Sequence, residues 1–196
     1  MPGRVSVGKG DIVGVLLAAG KGVRFGSDKL LHPLVDGTPM ALAAARKLRP
    51  ACARCVTVLR PGQAELAELL RTEGYTVLFN AEVERGMGHS LAHAVRATPE
   101  AAGWIVALAD MPFLSTATIS RVADALRHGA SLAAPFHQGR RGHPVGFSRD
   151  WYTALAGLQG DRGARDLLAD APMQRLETDD PGVLLDVDTP EALPHR

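Results

Sequence analysis

Residues 11–30 read DIVGVLLAAGKGVRFGSDKL, and the fold is decided there. From Ile12 to Ala18 the run is apolar without alternation, as a strand covered on both faces of a parallel sheet requires. It breaks at Gly20. The turn that follows carries Gly20, Gly22 and Gly26 together with Lys21, Arg24 and Lys29, an open backbone set among cations.

Working outward, the same alternation recurs. A helix is expected from about Met40 to Leu48, ended by Pro50, then an apolar strand CVTVL at 55–59. After Pro61 and Gly62, Leu66, Leu69 and Leu70 share one face of a second helix. Tyr75–Phe79 reads as a strand, 80–88 as a loop, 90–97 as a helix and WIVALA at 104–109 as a strand stopped by Pro112. Ser115 or Thr116 can cap a helix reaching Arg127, and SLAAPF at 131–136 is another strand. Strands alternating with helices predict an α/β fold, a mostly parallel sheet with helices on both faces. Beyond Gly139 the pattern becomes irregular: a basic glycine-bearing loop, short helices near 150–158 and 164–170, and a final apolar strand VLLDV at 183–187. With 196 residues and no repeat or linker, residues 1–196 are expected to form one domain.

Composition narrows the function. A formal net charge of +1 argues against a duplex nucleic acid surface and against a polybasic membrane anchor. No apolar run approaches the roughly 18 residues of a spanning helix, and MPGRVSVGKG lacks a signal-peptide core, so a cytoplasmic protein is expected. The two cysteines, Cys52 and Cys55, have C-x-x-C spacing. No further zinc ligands lie nearby, and the plainer expectation is a buried pair where a helix ends and a strand begins.

In open parallel sheets ligands bind at the carboxyl ends of the strands, which selects the loops after residues 18, 79, 109 and 136. The first, with its glycines and cations, suits an oligophosphate. It is not a P-loop, because Gly26 is followed by Ser27 and Asp28, and it misses the dinucleotide fingerprint because Phe25 stands where the third glycine belongs. A turn that merely joins strand to helix is the competing reading.

The run Leu17-Ala18-Ala19-Gly20-x-Gly22-x-Arg24-Phe25-Gly26-x-x-Lys29 resembles the signature of nucleotidyltransferases of the molybdenum cofactor family. The resemblance implies a three-layer α/β/α sandwich with a Rossmann-like sheet, of the nucleotide-diphospho-sugar transferase type. It also implies that the loop, including Lys21, wraps a triphosphate contacted by Arg24 and Lys29.

ALADMP places Asp110 just past the fourth strand. A hard oxygen donor there suits magnesium, which takes one or two carboxylates plus substrate phosphates; capping the next turn is the alternative. In DVDTP, Asp186 and Asp188 alternate with Val187, so an extended segment turns both acids to one side. Asp188 could instead cap a helix starting at Pro190. The resemblance implies that one of these two joins Asp110 around magnesium, Asp188 being favoured.

GMGHSL at 86–91, with Gly88 and Ser90, resembles the segment of cofactor cytidylyltransferases that lies against the nucleotide. His89 and His93 lie four apart on that helix, where hydrogen-bonded histidines are expected over a metal pair. The GHPVGF core of GRRGHPVGF, with Arg141, Gly142 and His143, resembles the family's acceptor side, and GDRGAR at 160–165 matches too, Asp161 being read as a helix cap. The resemblance spans residues 13–191. It implies transfer of CMP from CTP to a molybdopterin-type cofactor with release of pyrophosphate; LAAG is similar to the cytidylyl rather than the guanylyl branch. Delivery of the product to a molybdenum hydroxylase apoenzyme is a further expectation. The alternatives are a guanylyltransferase, a transferase acting on a sugar phosphate, a nicotinamide-dependent oxidoreductase and a non-catalytic cofactor carrier.

Overall fold

The computed structural model describes residues 10–19, 29–160, 164–168 and 171–189. Expectations placed on Gly20, Lys21, Gly22, Arg24, Asp161 and Pro190 lie outside the described residues.

The first half follows the alternation closely: β1 (Ile12–Leu17), α1 (Met40–Leu48), β2 (Arg54–Leu59), α2 (Ala64–Thr72), β3 (Tyr75–Phe79), α3 (Met87–Ala97), β4 (Gly103–Leu108) and α4 (Thr116–Arg127). Ser115 is the N-cap of α4, its side chain accepting from the Ala117 amide. The second half comprises β5 (Leu132–His137), β6 (Arg140–Arg141), β7 (Val145–Ser148), α5 (Tyr152–Ala156), α6 (Arg165–Leu168) and β8 (Gln174–Glu177).

The sheet runs β3-β2-β1-β4-β7-β5-β6, with β8 on β5. β3, β2, β1 and β4 are parallel, and β7 runs antiparallel between β4 and β5. Alternate β1 residues enter opposite cores. Ile12 and Leu16 pack with α1, α2 and α4, whereas Val13, Val15 and Leu17 pack with α3, α5 and α6. Helices therefore cover both faces, giving three layers. Gly14 lies over the cysteines: a Cβ there would come 2.8 Å from Cys55 Sγ and 3.0 Å from Cys52 Sγ. Both thiols are free and buried, and the hydrogen bond with the neighbouring Cys55 sulfur, with burial behind it, pushes the Cys52 thiol up. That is the expected structural pair.

Two expectations fail beyond Gly139. The basic segment is a strand, not a loop: β6 and β7 both pair with β5, and their registers differ by two residues across Gly142–Pro144. The His143–Pro144 peptide is cis. The apolar 183–187 segment is no strand, because Pro181–Leu184 forms a 3-10 helix and the last strand is the polar β8. Among the described residues no helix is long and apolar enough to cross a membrane.

Candidate active site

The chain steps from β1 outward to β2 and β3, then returns across α3 to place β4 on β1's other side. That reversal puts the crevice at the carboxyl ends of β1 and β4. β1 ends in the ladder bonds Ala18 N to Val58 O (3.3 Å) and Ala109 N to Leu17 O (3.1 Å). The loop starting at Ala19 thus leaves the sheet between the ends of β2 and β4.

Lys29 lies in a 3-10 turn whose Leu30 is anchored in the core. Lys29 is 7% exposed, and its Nζ donates to Asp110 Oδ2 at 2.9 Å and to Asp188 Oδ1 at 2.8 Å. A buried ammonium is tolerated only when paired. Burial alone would lower its pKa, but the hydrogen bonds it donates to Asp188 and Asp110 outweigh that and raise it, so the lysine remains charged. The resemblance implies a triphosphate contact for Lys29; the structure places its ammonium between the two expected metal carboxylates.

Asp188 reaches this point on a C-terminal strap, residues 178–188. The Val187 side chain is fully buried with Met40, and Leu34 and Phe113 pack against that pair, while Asp186 and Asp188 are exposed. The expected alternation thus holds although no strand forms. The Val187 amide donates to the Asp110 carbonyl at 2.9 Å.

On one side of this centre lie the ends of β2 and β3. Asn80 N donates to Leu59 O at 2.9 Å, and Asn80 Nδ2 donates to Ser90 Oγ at 3.4 Å, both side chains being buried. Gly88 N donates to Gly160 O at 3.0 Å, so this amide and the Ser90 hydroxyl already have protein partners. His89 Nε2 pairs with Glu82 Oε2 at 2.7 Å, in keeping with a hydrogen-bonded histidine.

On the other side β7, antiparallel to β4, begins beside β4's carboxyl end, with Val145 opposite Val106. The gap at Gly142–Pro144 therefore opens at the same edge. The His143 amide donates to Val183 O at 2.9 Å, and its Nδ1 is buried without a partner. Burial and then Arg141 push the His143 pKa down, against the opposing pull of Asp110, Asp186 and the Val106 carbonyl. The ring is neutral near pH 7. The structure thus brings Lys29, Asp110, Asp188, Asp186, His143 and Arg141 to one edge.

His143 and His93, both depressed first by burial, make stability pH-dependent. Protons bind the unfolded chain more readily, so stability falls as pH drops below the ordinary histidine value of 6.5. In urea titrations from pH 7.5 to 5, His143→Gln is expected to lose less stability than the parent. An equal loss would assign the effect elsewhere.

Sequence reasoning missed Asp180. Its Oδ2 accepts from Ser115 N (2.9 Å) and Thr118 Oγ1 (2.8 Å), and its Oδ1 from Gly182 N (2.9 Å). The only sequence signal was an Asp followed by Pro at a helix start.

Comparison with known proteins fits this geometry. A family model for the MobA-like NTP transferase domain matches residues 14–178. The chain belongs to that family. The purine catabolism protein PucB of Bacillus subtilis is 32% identical, covering 92% of this chain and 93% of its own. Nicotine blue oxidoreductase of Paenarthrobacter nicotinovorans is also 32% identical, over 93% of this chain and 94% of its own. Crystalline Rv0371c from Mycobacterium tuberculosis superposes with a TM-score of 0.80 at 30% identity, covering 95% of this chain and 96% of that one. Its manganese complex gives 0.77 at 29% identity, covering 94% and 96%.

Proposed function

We propose that this MobA-like protein is a single-domain cytoplasmic nucleotidyltransferase that moves CMP from CTP to a molybdopterin-type cofactor and releases pyrophosphate. The observation that carries the reading is the Lys29 ammonium held by Asp110 and Asp188 at the topological switch point of an NTP transferase fold.

The donor set fits a divalent cation. Asp110 and Asp188 converge on one ammonium from 78 residues apart in the chain, so a divalent cation exchanging places with that charge would meet both carboxylates. The pair brings two hard carboxylate donors to one point at the end of β4. That suits magnesium, which keeps open positions for phosphate oxygens. The manganese complex of Rv0371c lends support to a divalent ion in this role. When bound, the ion would supply charge neutralisation at the α-phosphate and the leaving pyrophosphate.

The chain's own residues do the rest. Asp110 and Asp188 would hold the ion, with Asp186 beside them. Lys29, with Arg24, neutralises the triphosphate, and the Leu17–Ala18–Ala19 turn with Gly20, Lys21 and Gly22 cradles it. Gly88 and Ser90 border the nucleoside. Arg141, Gly142 and His143 face an anionic acceptor. A phosphate monoester, with a second pKa of about 6, is already a nucleophile at neutral pH, so no general base is needed. Its oxygen forms a bond to the α-phosphorus while the bond to the β-phosphate bridging oxygen breaks. Positioning and electrostatics provide the catalysis. Handing the product to a molybdenum hydroxylase apoenzyme completes the reading.

Pyrophosphate release measured with each NTP and magnesium, with and without the cofactor, tests this. Release with CTP only when the cofactor is present is expected; preference for GTP, or for a sugar phosphate, would move the protein to another branch. One observation favours a second reading, the 32% identity to nicotine blue oxidoreductase. Against it, β2 ends at Leu59 and is followed by Arg60, where a dinucleotide site places an acid. Absorbance titration with NADPH separates the two.

A further inference from the structure

The 178–188 strap touches three parts of the site, and none of these contacts is a strand pairing. Val187 N holds the Asp110 carbonyl. Val183 O receives the His143 amide, and a Cβ on Gly142 would lie 2.5 Å from that same oxygen. Gly182 packs against the Phe113 carbonyl so closely that a Cβ there would overlap it. A segment whose regular structure is a single 3-10 turn, Pro181–Leu184, has little intrinsic order and must be fixed from outside.

The fixing group is Asp180. Its carboxylate gathers three donors from two places, the first turn of α4 (Ser115 N, Thr118 Oγ1) and the strap itself (Gly182 N), all within 2.8–2.9 Å. Thr118 is 5% exposed, so its hydroxyl has little access to water as a substitute. α4 is a twelve-residue helix packed in the core and directly follows the Asp110 loop. One carboxylate thus ties the strap to the helix that follows the Asp110 loop.

We infer that Asp180 is a positioning residue: it pins the strap to α4 and thereby sets Asp188 against Asp110 and Val183 against His143. This rests on the metal role given to Asp110 and Asp188 above. Asp180 itself, engaged by three protein donors, acts only through them. Carboxylates supporting metal ligands from behind typically alter affinity by about 10–100-fold.

The test uses the full chain and Mn2+ as probe. In Asp180→Asn one carboxylate oxygen becomes an NH2 that faces a donor. Amide hydrogen exchange at Val187 and His143 is expected to accelerate at least about tenfold, and calorimetric Mn2+ affinity to weaken by about tenfold or more. Thr118→Val removes one donor of the three and should show the same changes in smaller degree, which keeps the test valid if Asp180→Asn folds poorly. Thr98→Val is the control: it deletes the buried Trp104 Nε1 to Thr98 Oγ1 bond (2.9 Å) near the start of β4, at the opposite edge, and should lower Tm without changing either readout. Unchanged exchange at Val187 and His143 in both Asp180→Asn and Thr118→Val would overturn the inference. If the parent protein failed to bind Mn2+, the metal reading would fall, whereas the exchange data would still decide the role of Asp180.

Discussion

Asp110→Asn is expected to cut metal-dependent pyrophosphate release by at least about 10³-fold while leaving the protein folded. The figure follows from the several kcal/mol that a catalytic metal contributes, at about 1.4 kcal/mol per decade of rate. Stability should suffer little. The Asp110 carbonyl still receives Val187 N, and Lys29 keeps its bond to Asp188. Breaking a fully buried ion pair costs about 3–5 kcal/mol, but the Asp110 side chain is 28% exposed and the second acid remains, so about 1–2 kcal/mol is expected. Steady-state kinetics with thermal unfolding checks both halves. Retained turnover would remove Asp110 from the metal site; a collapsed fold would assign it to structure.

Lys29→Met has the second-largest expected effect, and its signs oppose. Methionine keeps the apolar stem and removes the charge, so nucleotide binding and turnover should fall together, by about 10²–10³ in kcat/KM. Without nucleotide, Mn2+ should bind more tightly than in the parent, because the ammonium that now neutralises Asp110 and Asp188 is gone. Weaker metal binding in this variant would show that Lys29 organises the carboxylates rather than competing for them. An unchanged kcat/KM would deny the lysine its phosphate role.

The sequence carries the fold where the two periodicities are strong. β1 to α4 are legible because buried parallel strands are uniformly apolar and their helices show a clean apolar face; Tyr75–Phe79 and Met40–Leu48 match residue for residue. Legibility ends where tertiary contacts replace local preference. β8 reads QRLE, three exposed positions and one half-buried, with no alternation to reveal a strand on β5. The β6–β7 strand looked like a loop because Gly142 and cis-Pro144 interrupt it at the register shift. Residues 183–187 are apolar because Val183 and Val187 plug separate cores, not because they join a sheet.

The same division applies to the site. Residue type and position after a strand single out Asp110, the basic glycine-bearing segment offers Arg141 and His143, and alternation with Val187 singles out Asp186 and Asp188. Their junction through Lys29, 81 residues from Asp110 and 159 from Asp188, has no local trace. Nor has the tie from Asp180 to α4, whose donors Ser115 and Thr118 lie 65 and 62 residues away.

The most direct measurement is an anomalous difference map from crystals grown with CTP and Mn2+. A manganese peak ligated by Asp110 and Asp188, with the triphosphate beside Lys29, is the predicted result. Nucleotide and metal bound at another edge of the sheet, with Lys29 still held between its two aspartates, would contradict the account.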